Sequence, residues 1–279
     1  MSNSGGKDQY YLEIESSKFQ VDIYIDTYYK KLLAYEGYKQ EVMSFISDMP
    51  TDSRIFDVGC GTGWFLSMLK RHEWTCLAGL DISPDMLRIA KDMVPEATFY
   101  AAPIQEYADS AGGEYDLITC LGTLHHMPDL ERVARSLYAL LKPGGVLLVH
   151  EPNEDWFYEK SKVLRGVMRL IYAPLRIKNS RRVQALREPW EKVPPSPYHE
   201  DVDISELLNI LKQSGFEVEK LAFKNTIMRV FEGMLFRESA FDRRLCKTIR
   251  WLDQNFCDRF VGKRAGGALI RLRKPVLTT

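Results

Sequence analysis

Residues 55–64 read IFDVGCGTGW, and no other part of the chain says as much about its architecture. A short β-branched and aromatic run ends in an acid and opens into glycines at positions 59, 61 and 63, and the amphipathic segment 64–71 follows directly. Glycine allows positive φ and admits a ligand where a Cβ would collide. A strand, a glycine turn and a helix N-terminus in this order predict the nucleotide-binding corner of an open α/β sheet.

The spacing of these glycines separates two kinds of nucleotide cofactor. A dinucleotide-binding turn needs Gly-x-Gly-x-x-Gly, and Trp64 occupies the position of the third glycine. The pattern that begins at Asp57, Asp-x-Gly-x-Gly-x-Gly, is instead similar to the first motif of the class I S-adenosylmethionine (SAM) methyltransferases. A glycine-rich turn that binds nothing is the alternative interpretation.

Strands and helices alternate on both sides of this turn. After the strand 54–58, apolar runs at 76–80, 98–101, 115–121 and 146–150 predict four more strands, separated by helical segments. Such alternation is typical of an α/β fold with a parallel, doubly wound sheet. Further strands are predicted at 216–223 and 268–272, and the resemblance implies a mostly parallel sheet of seven strands with helical lid insertions.

The predicted organisation has four parts. Residues 1–53 would form an N-terminal helical cap, which includes a helix at 21–49, and residues 54–155 the Rossmann-like core that binds SAM. A basic helical lid insertion is expected at 156–200. Residues 201–279 would complete the core and carry a second helical insertion at about 227–261.

Composition limits the classes of protein that this chain can belong to. With 279 residues, 45% of them hydrophobic and 27% charged, it is predicted to be globular. The five cysteines are scattered and form no C-x-x-C pair, which favours reduced thiols in a cytoplasm-like compartment over a disulfide framework or a zinc site. No signal peptide and no apolar run of about 20 residues is evident, so we expect no membrane crossing.

The zero net charge hides an asymmetry. Residues 1–155 hold 13 lysines and arginines against 24 acids, a net charge of −11, whereas residues 156–279 hold 25 against 14, a net charge of +11. This division suggests that the second half meets an anionic partner, unless the two halves simply face each other or water.

The resemblance to the methyltransferases covers residues 54–153 motif by motif and residues 202–275 more loosely. It implies that the glycine turn wraps the methionine end of SAM and that Asp81, which closes the second strand, binds the ribose hydroxyls. A carboxylate suits two vicinal hydroxyls because it accepts two hydrogen bonds side by side. As a plain helix-start acid Asp81 would be redundant, because Ser83 already supplies that cap.

The adenine is expected to lie between the apolar side chains of Ile82 and Met86. Its edge would meet residues 102–105, where many relatives carry an acid that this chain lacks. The full set of predicted SAM contacts is Asp57, Gly59, Cys60, Gly61, Gly63, Asp81, Ile82, Met86, Pro103, Ile104, Gln105, Cys120 and Leu121.

Residues 116–129, DLITCLGTLHHMPD, resemble the fourth motif of the family and the loop that follows it. The chain has Leu-Gly-Thr where relatives that act on nucleobases or amide nitrogens carry Asn/Asp-Pro-Pro-aromatic, which disfavours DNA and glutamine as acceptors. His125 and His126 fall beside the transferable methyl group, where an imidazole can remove a proton from the nucleophile. Packing or helix capping is the alternative role, and the family pattern favours His126. No metal is predicted, because the histidines and acids lack ligand spacing.

Two basic amphipathic helices are predicted within the insertions. In 159–172, Lys162, Arg165 and Arg169 form one stripe. In the later helix, an apolar stripe of Phe241, Leu245, Ile249, Leu252 and Phe256 lies opposite Arg243, Lys247 and Arg250. Helices of this kind lie on anionic membrane surfaces, clasp amphiphilic substrates or pack on partners. The alternative is a lid whose basic face is merely solvated.

The sequence therefore predicts a cytoplasmic methyltransferase that moves a methyl group from SAM to a small apolar or amphipathic acceptor and leaves S-adenosylhomocysteine. Peripheral attachment to a membrane surface is an open alternative for its location. Oxygen is the favoured acceptor atom, with nitrogen and carbon open. The alternatives are a catalytically silent SAM-binding relative that acts as a partner or sensor, and an NAD(P)-dependent oxidoreductase. The oligomeric state is not predicted.

Overall fold

The computed structural model describes residues 33–153, 202–224 and 240–276, together with the single positions 14, 161, 162 and 166. The strands in these ranges are β1 (Ile55–Val58), β2 (Leu77–Asp81), β3 (Thr98–Ala101), β4 (Tyr115–Leu121), β5 (Leu141–Pro152), β6 (Glu217–Lys224) and β7 (Gly267–Arg273). The α-helices are α1 (Leu33–Ser44), α2 (Trp64–Arg71), α3 (Pro84–Met93), α4 (Ile104–Ser110), α5 (Leu130–Leu140), α6 (Ile204–Gln213), α7 (Ala240–Leu252) and α8 (Asp258–Val261).

The strands form one sheet in the order β3-β2-β1-β4-β5-β7-β6. All neighbouring pairs from β3 to β5 are parallel, and β7 runs antiparallel to both β5 and β6. The predicted α/β fold with a mostly parallel seven-stranded sheet is confirmed. The strand order reverses between β1 and β4, which opens a crevice at the carboxyl ends of these two strands, where ligands of such sheets bind.

The central strands β1 and β4 are buried on both faces of the sheet, and successive side chains of a strand point to opposite faces. Phe56 packs with Ile118 in the cluster that contains α5 and α6 residues. Its neighbour Ile55 packs with Leu117 in the cluster that contains α1 and α2 residues. Continuous apolar runs such as 115–121 are therefore what a central parallel strand requires.

Local sequence signals explain where several helices begin. Ser83 caps α3 through a hydrogen bond that its hydroxyl accepts from the Met86 N–H at 3.3 Å, and Pro84 occupies the first turn, as predicted. The cap of α6 is Asp203, whose carboxylate accepts hydrogen bonds from the backbone N–H groups of Ser205 and Glu206.

The fifth strand is longer than predicted. β5 already begins at Leu141, which pairs with Tyr115, and regular pairing resumes at Val146 opposite Leu117. The intervening Pro143–Gly145 segment makes an irregularity in which Gly144 adopts φ 80° and donates its N–H to the Lys274 carbonyl. A Pro-Gly-Gly run thus interrupts the strand without ending its pairing.

Only part of the predicted insertions falls within the described residues. Most of the basic lid at 156–200 and the chain before residue 33 lie outside them. In the second insertion, residues 240–264 are helical throughout, as α7, a π-helical turn at Asp253–Cys257, α8 and a 3₁₀ turn at Gly262–Arg264. We call residues 240–264 the helical arm. None of the helices in the described ranges is long and apolar enough to cross a membrane.

The single apolar stripe predicted for the arm is wrong. Ile249 is buried, whereas Leu252 and Phe256 are exposed. The π turn widens the repeat beyond 3.6 residues, and the Phe256 ring consequently lies 5.5 Å from that of Trp251. The side chains of Phe241 and Arg243 lie outside the described set.

Candidate cofactor and active site

The glycine turn between β1 and α2 has the backbone that its sequence predicts. Gly59, Gly61 and Gly63 have φ values of 71°, 51° and 76°, in the left-handed region that favours glycine. A Cβ at Gly59 would overlap the Thr123 side chain, and one at Gly63 would lie 3.0 Å from the Ala90 Cβ. A Cβ at Gly61 would meet nothing within 4 Å. The outer glycines therefore permit close packing, and the middle one leaves open space into which a ligand can approach the backbone.

Asp81 lies beside this turn at the end of β2. Its Oδ2 accepts a hydrogen bond of 2.8 Å from the Gly61 N–H, and its Oδ1 accepts one of 2.9 Å from the Ser83 N–H. Burial raises the pKa of this carboxyl, and the two N–H groups and nearby His126 act against that rise. The backbone thus fixes the carboxylate in place while each oxygen keeps capacity to accept a ligand hydroxyl.

A second carboxyl, Asp57, lies beneath the turn. It is buried, and its Oδ1 accepts a hydrogen bond of 2.6 Å from the Thr119 hydroxyl on β4. Burial, helped by the charge of Asp81, raises the pKa of Asp57 to about 7. Close to neutral pH this group therefore changes charge, and a cation above the turn would favour its ionised form.

The other residues predicted to contact SAM lie around the same corner and differ in burial. The side chains of Cys60, Ile104 and Cys120 pack in the hydrophobic core, so these residues offer a ligand only their backbone. Burial raises the pKa of both thiols well above its usual value. Met86 and Gln105 are also buried, whereas Ile82, Pro103 and Leu121 are partly exposed.

Glu151, on β5, lies in the site although it was not among the predicted site residues. It is completely buried, and its Oε1 accepts hydrogen bonds from the N–H groups of Thr123 and Leu124 at 3.0 and 2.7 Å. Its Oε2 lies 2.7 Å from the His125 Nδ1. One carboxylate thus fixes both the backbone of the loop after β4 and the ring of His125. Its only sequence signal was an acid closing an apolar strand, as Asp57 and Asp81 do.

The two histidines have different surroundings although their ring centroids are 4.0 Å apart. The Nδ1 atom of His125 lies 2.7 Å from a carboxylate oxygen of Glu151, and since a carboxylate accepts hydrogen bonds, this contact favours the tautomer with its proton on Nδ1. His126 lies close enough to Asp81 for its charge to lower the pKa of that carboxyl. The structure therefore brings both predicted histidines to the edge, with His125 in contact with Glu151 and His126 in the electrostatic surroundings of Asp81.

Helix α1 covers this edge from the N-terminal side. The Tyr38 ring lies 4.7 Å from the His150 ring and 5.9 Å from the Trp64 ring, between the ends of β5 and the glycine turn. At the neighbouring position in α1, a Cβ at Gly37 would overlap the Arg250 guanidinium. Helix α1 is thus held between the edge of the sheet and the helical arm.

Metal ligands are a separate question. Within the described ranges, no three His, Cys, Asp or Glu side chains gather in a way that could hold a metal ion. Tyr198 and His199, near the end of the predicted lid insertion, lie outside those ranges.

Comparison with known proteins finds a matching family model and proteins of similar sequence. A family model described as "Methyltransferase domain" matches residues 29–221. The chain is 32% identical over 131 residues to a ubiquinone biosynthesis O-methyltransferase of Bordetella avium, an alignment that covers 46% of this chain and 54% of the relative. The chain thus spans about half the length of the curated relatives it matches.

Solved structures share the fold. A SAM-dependent methyltransferase of Thermotoga maritima has a TM-score of 0.55 at 18% identity, with 93% of this chain and 99% of that one covered. Phospholethanolamine N-methyltransferase 2 of Haemonchus contortus, solved with phosphomonomethylethanolamine and S-adenosylhomocysteine, has a TM-score of 0.54 at 15% identity, with 93% of this chain and 60% of that one covered. Since the family model spans well over half of the chain and the sheet has the same architecture, this protein belongs to the class I SAM-dependent methyltransferase family.

Proposed function

We propose that this chain binds SAM at the glycine turn and transfers its methyl group to a hydroxyl oxygen of a small acceptor. The observation that carries the proposal is the pairing of His125 with the buried Glu151 at the same edge as Gly61 and Asp81. A base held by an acid is what removal of a proton from a hydroxyl needs. The relative named as an O-methyltransferase supports the same acceptor atom.

The residues of the corner fit this cofactor. The open space at Gly61 would admit the methionine end against bare backbone, and Asp81 would accept from the ribose hydroxyls. The ionised form of Asp57 would stabilise the positive charge above the turn. When bound, SAM supplies a methyl group already activated by a sulfonium, so the protein must mainly orient the acceptor and exclude water.

His125 is the proposed base. Its Nδ1–H is held by Glu151, so Nε2 takes the acceptor proton and the resulting imidazolium is stabilised by the carboxylate. The family pattern favoured His126, but that ring lies by Asp81, on the side proposed for the ribose. We therefore assign His125 to the proton and His126 to the cofactor side.

We further propose that the acceptor is apolar or amphipathic, with a ubiquinone precursor as the first candidate because of the name of the relative. The basic lid predicted at 156–200 would close over it. The four described cysteines that are free thiols fit a protein of a reducing compartment.

Cofactor binding is tested by titrating S-adenosylhomocysteine into the purified protein in a calorimeter. We expect Asp81→Ala to weaken binding at least about 100-fold, since it removes a charged hydrogen-bond partner. Asp92→Ala, on the exposed side of α3, is the control and should bind as the wild type. If the Asp81 variant bound as tightly as the wild type, the assignment of Asp81 to the cofactor would be wrong. Thermal stabilisation by NAD(P)H but not by S-adenosylhomocysteine would instead favour an NAD(P)-dependent oxidoreductase.

The acceptor is identified by incubating the protein with isotopically labelled SAM and a cell extract and finding the molecule that gains the label. With that acceptor, His125→Ala should lower turnover by about 100-fold or more at unchanged S-adenosylhomocysteine affinity, and His126→Ala should lower it less. The reverse ranking would return the base to His126. A protein that binds the cofactor but labels nothing would be the catalytically silent relative.

A further inference from the structure

Large apolar side chains are exposed together on the helical arm. The exposed fractions are 84% for Phe260, 55% for Trp251 and 46% for Phe256, and Leu252 is exposed as well. Leu252, Phe256 and Phe260 recur every four residues, and the Trp251 ring packs against Phe256. We call these four residues the aromatic strip. Exposed aromatic side chains of this size on one helical surface mark a site of interaction with another protein or with a membrane.

Positive charge accompanies the strip. Residues 240–264 hold seven lysines and arginines against three acids, and one of those acids, Asp253, is buried. The basic side chains next to the strip, at Arg259, Lys263 and Arg264, are exposed. A helix that presents aromatic groups flanked by cations has the composition of one that lies in the interface of an anionic bilayer.

The arm ends at the proposed active site. Asn153, two residues after Glu151, donates its side-chain Nδ2–H to the carbonyls of Lys263 and Ala265 at 2.8 and 2.9 Å. Strand β7 then begins at Gly267 beside Pro152. Within helix α7 of the arm, Arg250 packs against Gly37 of α1. These contacts hold the strip at the carboxyl edge of the sheet, where the acceptor would enter.

We propose that the aromatic strip and its flanking basic residues dock this protein on an anionic lipid surface. The aromatic rings insert among the lipid chains at headgroup depth, and Arg259, Lys263 and Arg264 meet the phosphates. Docking there turns the carboxyl edge of the sheet towards the bilayer, from which an apolar acceptor can pass to His125. This last step rests on the proposed function, whereas lipid binding itself does not.

The test is flotation of the full chain with vesicles of phosphatidylglycerol and phosphatidylcholine, and with vesicles of phosphatidylcholine alone. We expect the wild type to float with the anionic vesicles and not with the neutral ones. The double variant Phe256→Ser/Phe260→Ser and the charge variant Lys263→Glu/Arg264→Glu should each lower the bound fraction by about tenfold. The matched control is Val276→Ser, which removes an apolar side chain that is 63% exposed and lies beside Gly144, away from the arm.

Several results would overturn the proposal. The first is a wild type that floats with neither kind of vesicle, and the second is equal flotation with anionic and neutral vesicles. The third is a Val276→Ser variant that loses as much vesicle binding as the strip variants. A concentration-dependent dimer in sedimentation velocity that the Phe256/Phe260 variant abolishes, without vesicle binding, would assign the strip to a second copy instead. Since the charge variant leaves the apolar packing intact, it tests the proposal even if the serine variant fails to fold.

The same variants separate this proposal from the proposed function. Strip variants should keep the S-adenosylhomocysteine affinity of the wild type, and Asp81→Ala should keep vesicle binding. If Asp81→Ala retains cofactor affinity while the strip variants lose flotation, the proposed function fails and the lipid surface stands. If cofactor binding behaves as expected and flotation is never seen, only the lipid surface fails.

Discussion

The glycine turn and the helical arm differ in how far their side chains are enclosed by the rest of the protein. In the turn, three left-handed glycines, the buried carboxyl of Asp57, the partly buried carboxyl of Asp81 and a tightly packed threonine leave one opening, at Gly61. The arm instead exposes its largest side chains and reaches the rest of the protein through a few contacts, such as Arg250 on Gly37. A site for a shared cofactor is thus rigid and enclosed, while a surface for a particular partner lies outside the core, where change costs little stability.

The largest expected effect is that of Gly59→Ala. Its Cβ would overlap Thr123, whose backbone is held by Glu151. The glycine turn and the loop after β4 therefore cannot both keep their positions. We expect a loss of about 4 kcal/mol in the free energy of unfolding, measured in urea.

The matched control for that change is Gly61→Ala. It has the same left-handed φ strain but meets open space, so a loss of only about 1 kcal/mol is expected. If the two variants proved equally stable, the packing that distinguishes the outer glycines from the middle one would be wrong.

The next effect concerns Asp57, whose folded-state pKa of about 7 lies above the ordinary value. A raised carboxyl pKa means that the folded state binds the extra proton, so this group makes the protein less stable as the pH rises from about 4 to about 7. Asp57→Asn keeps an oxygen for the Thr119 hydroxyl but has no charge to bury. At about pH 8 it should therefore be more stable than the wild type by roughly 4 kcal/mol, a difference that disappears near pH 4.

The same carboxyl should give cofactor affinity a pH dependence. SAM carries positive charge, so its binding favours ionised Asp57 and should tighten as the pH rises through about 7. Calorimetry of the Asp57→Asn variant should show weaker binding and a flatter profile. A wild-type affinity that is constant across this range would place the charge of the cofactor away from Asp57.

The smallest effect is expected in the arm, for Arg250→Ala. Its guanidinium covers Gly37, and its removal should cost about 1 kcal/mol of unfolding free energy and speed amide hydrogen exchange in α7. Arg259→Ala, an exposed position on the same arm, should change neither quantity. Faster exchange throughout β1 in the Arg250 variant would mean that the arm is part of the core after all.

Sequence reasoning succeeded where the chemistry is local. The glycine spacing, the acid that closes β2 and the Ser83-Pro84 helix start each act within a few residues, and all are found as predicted. It was less successful where a regular period was assumed. The stripe of the arm is divided around a π turn, and β5 extends back through the Pro-Gly-Gly segment because pairing with β4 begins again at Leu141.

The sequence by itself determined the fold, the family and the corner where the cofactor is proposed to bind, because those depend on backbone geometry that glycine and short-range pattern encode. Only the tertiary structure could decide that Glu151 holds His125 while His126 faces Asp81, and that Trp251 and Phe260 are exposed while Ile249 is not. Glu151 and His125 lie 26 residues apart and meet because parallel strands β4 and β5 end at one edge. Contacts of that kind depend on strand order and on the rotation of helices, which no stretch of neighbouring residues specifies.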